Sequence, residues 1–381
     1  MKPKLYHSLG LMSGTSIDGI DAALIETDGH DYIRPLGFMA NPYEPEFRQK
    51  LRACLGNERG TKDKDVAAFE HELTEKHAEI ALKLLRETGA KTDLIGFHGQ
   101  TLLHRPEKKI TLQIGDGALL AKLTGIAVVN DFRNADVQAG GHGAPLVPLY
   151  HRALIADLPK PALILNIGGV SNVTWVNGEE DDDILAFDVG PGNALIDDWV
   201  LRHTGQPYDT NGLLAAAGSV DANWVDRSLA ISFFSTTPPK SLDRDAFGAY
   251  VPEHLSAADG AATLTMITAR AVAAALPFLP QKPDKIYVAG GGRHNITLMR
   301  WIGDITGLEI YPVDILGWSG DGLEAEAFAW LAVRSVLGLP LPGTMIERVR
   351  REGVDSLSPV IFKITPITSI WPLVGLQAAV G

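Results

Sequence analysis

Short apolar segments alternate with longer amphipathic ones along the chain. Residues 5–11 and 22–26 predict two strands on either side of a polar turn. Residues 64–89 place apolar side chains at helical spacing before a terminal glycine, which predicts a long helix. Residues 94–101 predict a short strand that runs into a loop, and residues 116–125 a helix capped by its aspartate and closed by its glycine. This alternation predicts an α/β fold.

The same alternation continues further along the chain. Residues 162–177 predict a strand, a glycine-rich turn and a second strand, whereas residues 184–200 and 285–306 each predict a strand, a turn and a helix. Alanine-rich residues 257–276 and the segment 320–338 predict two further helices. We therefore expect a mostly parallel sheet, with room for antiparallel hairpins.

Glycine and turn residues are concentrated between residues 133 and 148, where we place a boundary between two lobes. The predicted organisation is an N-terminal lobe over residues 1–135, a C-terminal lobe over 136–340 and a divergent tail over 341–381. Residues 9–26 and 163–178 share the plan of apolar strand, turn of Gly, Ser or Thr, and apolar strand. One copy stands near the start of each predicted lobe, which favours two related lobes that face a cleft.

Composition narrows the class of protein. The chain has 381 residues, 45% of them hydrophobic, and a formal net charge of −12. This charge argues against general affinity for nucleic acid or anionic membranes, although backbone N–H groups can still form a local anion site. The single cysteine, Cys54, excludes an internal disulfide and a cysteine-based zinc site. Because we find no run of about 18 apolar residues and no secretory signal, we expect a soluble protein of the cytoplasm.

Four glycine-rich turns follow apolar strands, at Gly14–Gly19, Gly168–Ser171, Gly190–Gly192 and Gly290–Gly292. Glycine lets backbone N–H groups approach a ligand closely, and concave runs of such groups bind phosphate. Any one of these turns, taken alone, is better explained as a simple tight turn, but four such turns together favour a ligand site. The P-loop pattern is absent, and Asn295 stands where a dinucleotide fingerprint requires its last glycine. The pattern favours a phosphate-binding protein outside both classes.

Seven stretches, taken together, resemble one known family. They read “GLMSGTSIDGIDAAL”, “GFHGQTLLHRP”, “LQIGDGALLA”, “VVNDFRNADVQAGGHGAPLVP”, “LNIGGVSNVT”, “FDVGPGNALIDDW” and “VAGGGRHNITLM”. Their sequence and order, over about residues 5–340, closely resemble the anhydro-N-acetylmuramic acid kinase family of the sugar kinase/Hsp70/actin superfamily. The tail beyond residue 340 does not resemble the short terminus usual in that family.

The resemblance implies a fold and a reaction. The fold would be α/β, with two actin-like (ribonuclease H-like) lobes and a nucleotide cleft between them. The reaction would use ATP, Mg²⁺ and water to open the 1,6-anhydro bridge of anhydro-N-acetylmuramic acid and to phosphorylate O6, as a step of peptidoglycan recycling. It implies a small amino-sugar substrate and a bacterial cytoplasm, without nucleic-acid or membrane partners. The oligomeric state stays open, a homodimer included.

Residue roles follow from the matching motifs. Asp188 ends an apolar strand before a Gly-Pro-Gly turn, and the resemblance assigns it the role of general base; a turn-stabilising role is the alternative. The residues implied for ATP are Gly14, Thr15, Ser16, Ile17, Asp18, Gly19, Ile20, Asp21, Gly168, Gly169, Asn172, Gly291, Gly292 and Asn295. The candidates for the sugar are Arg133, Gln100, Thr101, His142 and Glu326.

Arg133 is the strongest of the sugar candidates, because a guanidinium can bind the lactyl carboxylate of muramic acid bidentately. Its alternative is a surface salt bridge. Glu324 and Glu326 open the last predicted helix, where carboxylates favour the positive end of the dipole, and a cleft role for one of them is the alternative. The histidines show no metal-ligand spacing, so we expect structural or hydrogen-bonding roles for them.

The metal ligands are harder to assign. Met12 stands where members of the superfamily usually carry an aspartate, so Asp18 and Asp21 are the nearest candidates, through water. Two other functions fit the same motifs. One is an ATP-driven binding protein of the actin or Hsp70 type, and the other is a sugar kinase without bridge hydrolysis, in which Asp188 would deprotonate a substrate hydroxyl.

Overall fold

The computed structural model describes residues 3–14, 17–141, 143–180, 183–238, 240, 242, 247 and 250–339, and the backbone of residues 363–365. The chain forms two compact units. The first holds the residues up to Leu146 and the described residues from Glu324 onward, and the second holds Val147–Leu323. The first unit therefore extends beyond residue 135, the predicted limit of the N-terminal lobe. It also includes a second part of the chain, which begins after Leu323. The predicted tail lies outside the described residues, apart from the backbone of 363–365.

The first unit is a sheet with helices. Its first strands are β1 (Tyr6–Ser13), β2 (Gly19–Thr27), β3 (Ile33–Pro42), β4 (Leu94–Arg105), β5 (Ile110–Ile114) and β6 (Ala127–Asn130). Its first helices are α1 (Pro45–Cys54), α2 (Lys64–Thr88), α3 (Gly117–Thr124) and α4 (Asn134–Gln138), with short 3-10 helices at Gly60–Lys62 and Pro106–Lys108. The strand order is β3-β2-β1-β4-β6, and β5 pairs with β4.

The second unit has a five-stranded sheet. Its strands are β7 (Ala162–Ile167), β8 (Val170–Val176), β9 (Ile184–Pro191), β10 (Lys285–Ala289) and β11 (Glu309–Pro312). Its helices are α5 (Pro148–Leu154), α6 (Ala194–Thr204), α7 (Leu213–Ala217), α8 (Ala222–Leu229), α9 (Ala257–Ala275) and α10 (Ile296–Thr306). Short 3-10 helices lie at Thr210–Gly212, Ser232–Ser235, Leu276–Phe278, Gly291–His294 and Val313–Leu316. The strand order is β9-β8-β7-β10-β11.

The two sheets share one plan. In each, the first three strands pair antiparallel in succession, β1–β2–β3 in the first unit and β7–β8–β9 in the second. In the first unit β1 also pairs in parallel with β4, and β4 with β6. In the second unit β7 pairs in parallel with β10, and β10 with β11. The predicted relation between the two halves of the chain is thus present in the topology. The sheets are more evenly mixed than the mostly parallel sheet that the sequence predicts.

Local signals in the sequence locate the helix ends correctly. The helix α2 ends at Gly89, which adopts the left-handed conformation (φ 65°) that glycine tolerates best. The side chain of Asp116 accepts hydrogen bonds from the N–H groups of Ala118 and Leu119 at the start of α3, and Gly125 closes that helix. Both predicted helices, with their caps, are confirmed.

The prediction that the strand in residues 94–101 is short and runs into a loop is wrong, because β4 continues to Arg105. Gly99 has φ 73°, and the pairing of β1 with β4 shifts register between Leu11 and Ser13. The strand accommodates the positive φ of Gly99 through this register shift and continues, and its second half pairs with β5.

The chain returns to the first unit through α11 (Leu323–Leu337), and the backbone strand β12 (Lys363–Thr365) pairs with β6. Close approach to α11 depends on two glycines. A Cβ on Gly10 would lie 1.7 Å from the Ala325 carbonyl oxygen, and one on Gly96 would lie 2.0 Å from that of Phe328. The Ser8 hydroxyl also donates to the carbonyl oxygen of Ala329 at 2.7 Å. Because the helix lies directly on strand backbones, the first unit includes it.

Each unit has its own apolar core. Leu9, Leu24 and Ile95 belong to the core of the first unit, and Leu163 and Val288 to that of the second. Among the described residues one helical segment, Ala257–Phe278, is long and apolar enough to cross a membrane, with a mean hydropathy of 1.4. The sequence predicts a helix here, over residues 257–276, but not one of this length and apolar character. Because 61% of its most apolar stretch is buried within the protein, the segment is buried as the core helix of a globular protein would be.

Candidate active site

The first hairpin turn joins β1 to β2 and is supported by buried polar side chains. The Ser13 hydroxyl donates to Gln100 Oε1 at 2.5 Å, and Gln100 Nε2 donates to the Gly14 carbonyl oxygen at 3.2 Å. The Tyr43 hydroxyl lies 2.8 Å from Ser13 Oγ. Gln100 is fully buried, so the structure places this predicted sugar contact against the turn. Ile17, within the turn, has φ 57°, a conformation that is rare for a β-branched residue.

Thr15 and Ser16, both predicted to bind ATP, lie outside the described residues. The acidic residues of the hairpin lie near Tyr43. Burial raises the pKa of the Tyr43 hydroxyl, and the charges of Asp18 and Asp21 raise it further. Asp18 is exposed, whereas Asp21 is half-buried on β2 opposite Met12. The first unit therefore carries two carboxylates at this turn, at least one of them open to solvent.

Glu324 joins the same region from α11. Burial raises the pKa of its carboxyl; the nearby Arg133 guanidinium lowers it, and the Asp18 carboxylate raises it. Two carboxylates and one guanidinium thus interact within the first unit. The sequence is consistent with either a helix-capping role or a cleft role for Glu324. The effect of the Asp18 carboxylate on its pKa places Glu324 near the hairpin. No spacing in the sequence indicates this proximity, because it depends on the return of α11.

Arg133 is held in one orientation by two acceptors. Its Nε donates to His98 Nε2 at 2.9 Å, and its Nη1 donates to the Gly143 carbonyl oxygen at 2.7 Å. His98 Nδ1 lies 2.8 Å from the Gly99 carbonyl oxygen, so the proton of the neutral ring belongs on Nδ1, and Nε2 accepts. Burial lowers the pKa of His98 well below its usual value and that of Arg133 to about 10. A neutral His98 therefore orients a charged Arg133.

The other sugar candidates divide by location. Thr101 is half-buried, and its Oγ1 accepts from Gln113 Nε2 at 3.3 Å. Glu326 is only 2% exposed, within α11. His142 lies outside the described residues. Of the five candidates, Arg133 has a guanidinium that donates to His98 and to the Gly143 carbonyl oxygen.

Three glycine turns of the second unit, which follow β7, β9 and β10, lie close together. The N–H groups of Gly192 and Asn193 donate to the carbonyl oxygens of Gly169 and Gly168, at 3.0 and 2.7 Å. Asn193 Nδ2 donates to the Ile167 carbonyl oxygen at 3.2 Å. The parallel pairing of β7 with β10 brings the turn at Gly290–Gly292 to the same edge.

Some of these glycines are not required by the fold. Gly168, Gly169 and Gly291 have ordinary φ values, and a Cβ on any of them would meet no atom closer than 3.6 Å. Gly290 is different, because its φ is 75° and a Cβ would lie 2.5 Å from Asn166 Oδ1. Since the first three have room for a side chain, their surface is left open to a ligand.

The Gly290 turn is fixed by Arg293, which the sequence analysis does not single out. Its guanidinium donates to Asp314 Oδ2 at 2.8 Å and to both carboxylate oxygens of Asp321, and its Nη1 donates to the Gly290 carbonyl oxygen. Asn295, predicted to bind ATP, caps α10 by accepting from the Leu298 N–H at 2.9 Å. These contacts hold the turn ahead of α10 in place.

Asp188 lies on β9 opposite Asn172, one of the residues predicted to bind ATP. Its Oδ2 accepts from the Leu242 N–H at 2.7 Å, and its own N–H donates to the Lys240 carbonyl oxygen at 3.1 Å. Burial raises the pKa of its carboxyl to about 6, although the Leu242 N–H acts in the opposite direction. A half-buried carboxylate with this pKa is suited to accept a proton near neutral pH.

Comparison with known proteins decides the family. A family model described as Anhydro-N-acetylmuramic acid kinase matches residues 6–349. The chain belongs to the anhydro-N-acetylmuramic acid kinase family. A protein of that name from Rhizorhabdus wittichii is 51% identical over 346 residues, which are 88% of this chain and 94% of the relative. Another, from Rhodospirillum rubrum, is 51% identical over 334 residues, which are 88% of this chain and 89% of the relative.

Solved structures of lower similarity also match. The activator of 2-hydroxyisocaproyl-CoA dehydratase from Clostridium difficile aligns over 92% of this chain and 100% of its own, with 11% identity and a TM-score of 0.41. The ROK hexokinase from Thermus thermophilus aligns over 86% of this chain and 98% of its own, with 17% identity and a TM-score of 0.36.

Family membership confirms the resemblance found in the sequence. The chain is an enzyme of the kinase class, its activity is that of its family, and its substrate is a small sugar. Its fold is α/β, with two units whose sheets have the same strand order.

Proposed function

We propose that the chain uses ATP to convert 1,6-anhydro-N-acetylmuramic acid into N-acetylmuramic acid 6-phosphate and ADP, as a peptidoglycan-recycling step in the bacterial cytoplasm. The observation that carries the assignment of residues is the placement of Asp188. It combines a raised pKa, of about 6, with a position on β9, the strand that leads into one of the three glycine turns. A base and a phosphate-binding surface in one unit are what the coupled reaction needs.

Asp188 acts as the general base. It accepts a proton from the water that attacks C1, while the bond between C1 and O6 breaks. O6 then takes the γ-phosphoryl group of ATP, and the bond between that group and ADP breaks. Water is a poor nucleophile, so a base matched to the operating pH contributes roughly 10²–10⁴-fold. The pKa of Asp188, at about 6, leaves its carboxylate mostly ionised at neutral pH.

The glycine turns bind the phosphates of ATP. Gly168 and Gly169 have room for a Cβ that the sequence does not supply, so backbone N–H groups remain accessible there. The turn between β1 and β2 provides the corresponding residues of the first unit, from Gly14 to Asp21. Gly291 and Gly292, held by Arg293, bind towards the adenosine end. Phosphoryl transfer mainly requires such positioning together with charge stabilisation.

Arg133 binds the lactyl carboxylate of the sugar. It presents a guanidinium whose Nε and Nη1 are engaged by His98 and Gly143, so its plane is fixed before substrate arrives. A pre-oriented planar donor favours bidentate recognition of a carboxylate. In a chain with a net charge of −12, such a local cation gives an anionic substrate a defined docking point.

The acidic residues of the first unit fit Mg²⁺. The Asp18 carboxylate is close enough to Glu324 to raise the pKa of its carboxyl, and Asp21 lies on the same hairpin as Asp18. Among the described residues no group of three or more potential ligands is found. Mg²⁺ is compatible with this set because it keeps several waters and needs only one or two carboxylates beside the phosphates. When bound, it would neutralise charge on the β- and γ-phosphates.

The test is to supply ATP, Mg²⁺ and 1,6-anhydro-N-acetylmuramic acid in ¹⁸O-water and to identify the product by mass spectrometry. The proposal expects the 6-phosphate with one label at C1. Unlabelled phosphorylated sugar would instead support a sugar kinase without bridge hydrolysis. ATP turnover without a phosphorylated sugar would support the actin- or Hsp70-type alternative.

Asp188→Asn tests the base within the same assay. We expect nucleotide binding to persist while turnover falls by roughly 10²–10⁴-fold. Asp304→Asn is the matched control, because Asp304 is an exposed aspartate of α10. Near-normal turnover in Asp188→Asn would remove Asp188 from the mechanism.

A further inference from the structure

Lys240 has an unusual environment beside the proposed base. Its ammonium lies over three aromatic rings, with Nζ 4.4 Å from the ring centre of Phe278, 4.7 Å from that of Phe233 and 5.7 Å from that of Phe187. Nζ also donates to the Phe233 carbonyl oxygen at 3.0 Å. A cation enclosed by several rings is held more firmly than an exposed lysine, which typically samples many rotamers.

The backbone at Lys240 meets Asp188 from the other side. The Lys240 carbonyl oxygen accepts from the Asp188 N–H at 3.1 Å, and the Leu242 N–H donates to Asp188 Oδ2 at 2.7 Å. The strand β9 lies at the end of its sheet order, so these bonds involve the edge of the sheet. Lys240 therefore holds the backbone of Asp188, and Leu242 holds its carboxylate.

The charge of Lys240 does not act on Asp188 directly. Phe187 and Asp188 are successive residues of a strand, so their side chains point to opposite faces of the sheet. The ammonium lies on the Phe187 face. Burial and the Leu242 N–H account for the pKa of Asp188, without a contribution from Lys240. The lysine thus holds the segment in place without forming an ion pair that would make the base weaker.

We propose that Lys240 is a positioning residue for the general base: its aromatic cage fixes the backbone that orients the Asp188 carboxylate. This inference rests on the proposed role of Asp188. Without the cage, the segment would lose its anchor on β9, and the Leu242 N–H would no longer define the direction of the carboxylate. A displacement of about 1 Å at a reacting group lowers rates by up to roughly 10²-fold.

The experiment compares Lys240→Met with Lys240→Arg, using the sugar and ATP as substrates. Lys240→Met keeps an unbranched side chain, one atom shorter, but removes its charge, and we expect kcat to fall roughly ten- to a hundredfold with KM for both substrates little changed. The acid limb of kcat/KM should also move to higher pH, because the Leu242 N–H lowers the pKa of Asp188 and its bond is weakened. Lys240→Arg keeps a cation over the rings and should restore most of the rate.

Phe233→Leu provides a second route to the same result, since it opens the cage but keeps the lysine. Phe233→Leu should lower kcat and move the acid limb of kcat/KM to higher pH, as Lys240→Met does, but by smaller amounts. Lys282→Met, at an exposed lysine of the same unit, is the control and should match the wild type.

Two results would overturn the inference. One is a Lys240→Met enzyme with normal kcat and an unmoved acid limb. The other is a loss of rate that accompanies a lower Tm without any movement of the limb, since this indicates a purely structural role. Failure of the proposed function is distinguishable, because it would appear as near-normal turnover in Asp188→Asn, whatever Lys240→Met does.

Discussion

At the scale of single residues, the proposed base Asp188 should set the lower limit of the pH range in which the enzyme is active. Only the ionised carboxylate accepts a proton from water, and burial raises its pKa to about 6. As pH falls through that value the carboxyl becomes protonated, so kcat/KM for the sugar should fall about tenfold per pH unit below it. The measurement is a pH profile at saturating ATP. A limb near the ordinary pKa of aspartate, about 4, would contradict the assignment.

His98 makes a second prediction at this scale. In His98→Phe the ring can still pack on Phe328, but the acceptor for Arg133 Nε is lost. Hydrogen bonds to charged groups contribute about 1.5–3 kcal/mol, so KM for the sugar should rise at least about tenfold while KM for ATP changes little. His71→Gln, at an exposed site on α2, is the control. An equal rise in both KM values would point to general distortion instead.

At the scale of elements, the sequence predicts what local chemistry determines. Asp116 and Gly89 mark helix ends because a cap is formed within one turn of chain. The extension of β4 beyond Gly99 is not predictable in this way, since it depends on pairing with β5. The proximity of Glu324 to Arg133 depends on the return of α11. Residues that meet through tertiary packing leave no mark in local spacing, so the sequence does not indicate that Glu324 lies near Arg133.

Gly10 tests the packing of α11 on its sheet. In Gly10→Ala the new Cβ would overlap the Ala325 carbonyl oxygen at 1.7 Å, so strand and helix must separate. Overpacking of this kind lowers the free energy of unfolding by about 1–3 kcal/mol. The measurement is denaturant unfolding, with Gly303→Ala as the control. In that variant the nearest atom is the Ile310 side chain at 3.3 Å, and equal stability of the two variants would refute close packing.

A substitution at Gly169, unlike one at Gly10, should leave stability unchanged and weaken ATP binding. A Cβ there would lie 3.6 Å from that of Ala194, an ordinary contact, so Gly169→Ala should fold with little change in unfolding free energy. If backbone N–H groups of this turn bind phosphate, the methyl group blocks close approach, and the Kd for ATP should rise at least about tenfold. Calorimetric titration with ATP and Mg²⁺ measures it. Unchanged affinity would mean that this glycine serves only the turn.

At the scale of the whole molecule, two units of the same strand order differ in how they support their hairpin turns. The first unit uses buried side chains, Ser13 and Gln100, whereas the second uses backbone bonds to Gly168 and Gly169. The shared plan is detectable in the sequence because its apolar strands and polar turns repeat. The divergence is not, because it depends on which distant residue reaches each turn. In the proposed mechanism the roles are likewise divided: the base, Asp188, belongs to the second unit, and the metal candidates Asp18, Asp21 and Glu324 belong to the first.

This separation leads to a prediction about metal and nucleotide together. A ligand that binds only the folded protein stabilises it by RT ln(1 + [L]/Kd), about 2.7 kcal/mol at a hundredfold excess over Kd. If Asp18 helps to hold Mg²⁺ beside the phosphates, ATP with Mg²⁺ should raise Tm more than ATP with a chelator. The difference should shrink in Asp18→Asn, whereas the response to ATP with chelator should stay close to that of the wild type. Asp28→Asn is the control, because Asp28 belongs to the same unit but is not one of the metal candidates. Equal magnesium dependence in Asp18→Asn and the wild type would exclude Asp18 as a ligand and leave Asp21 and Glu324 to be tested next.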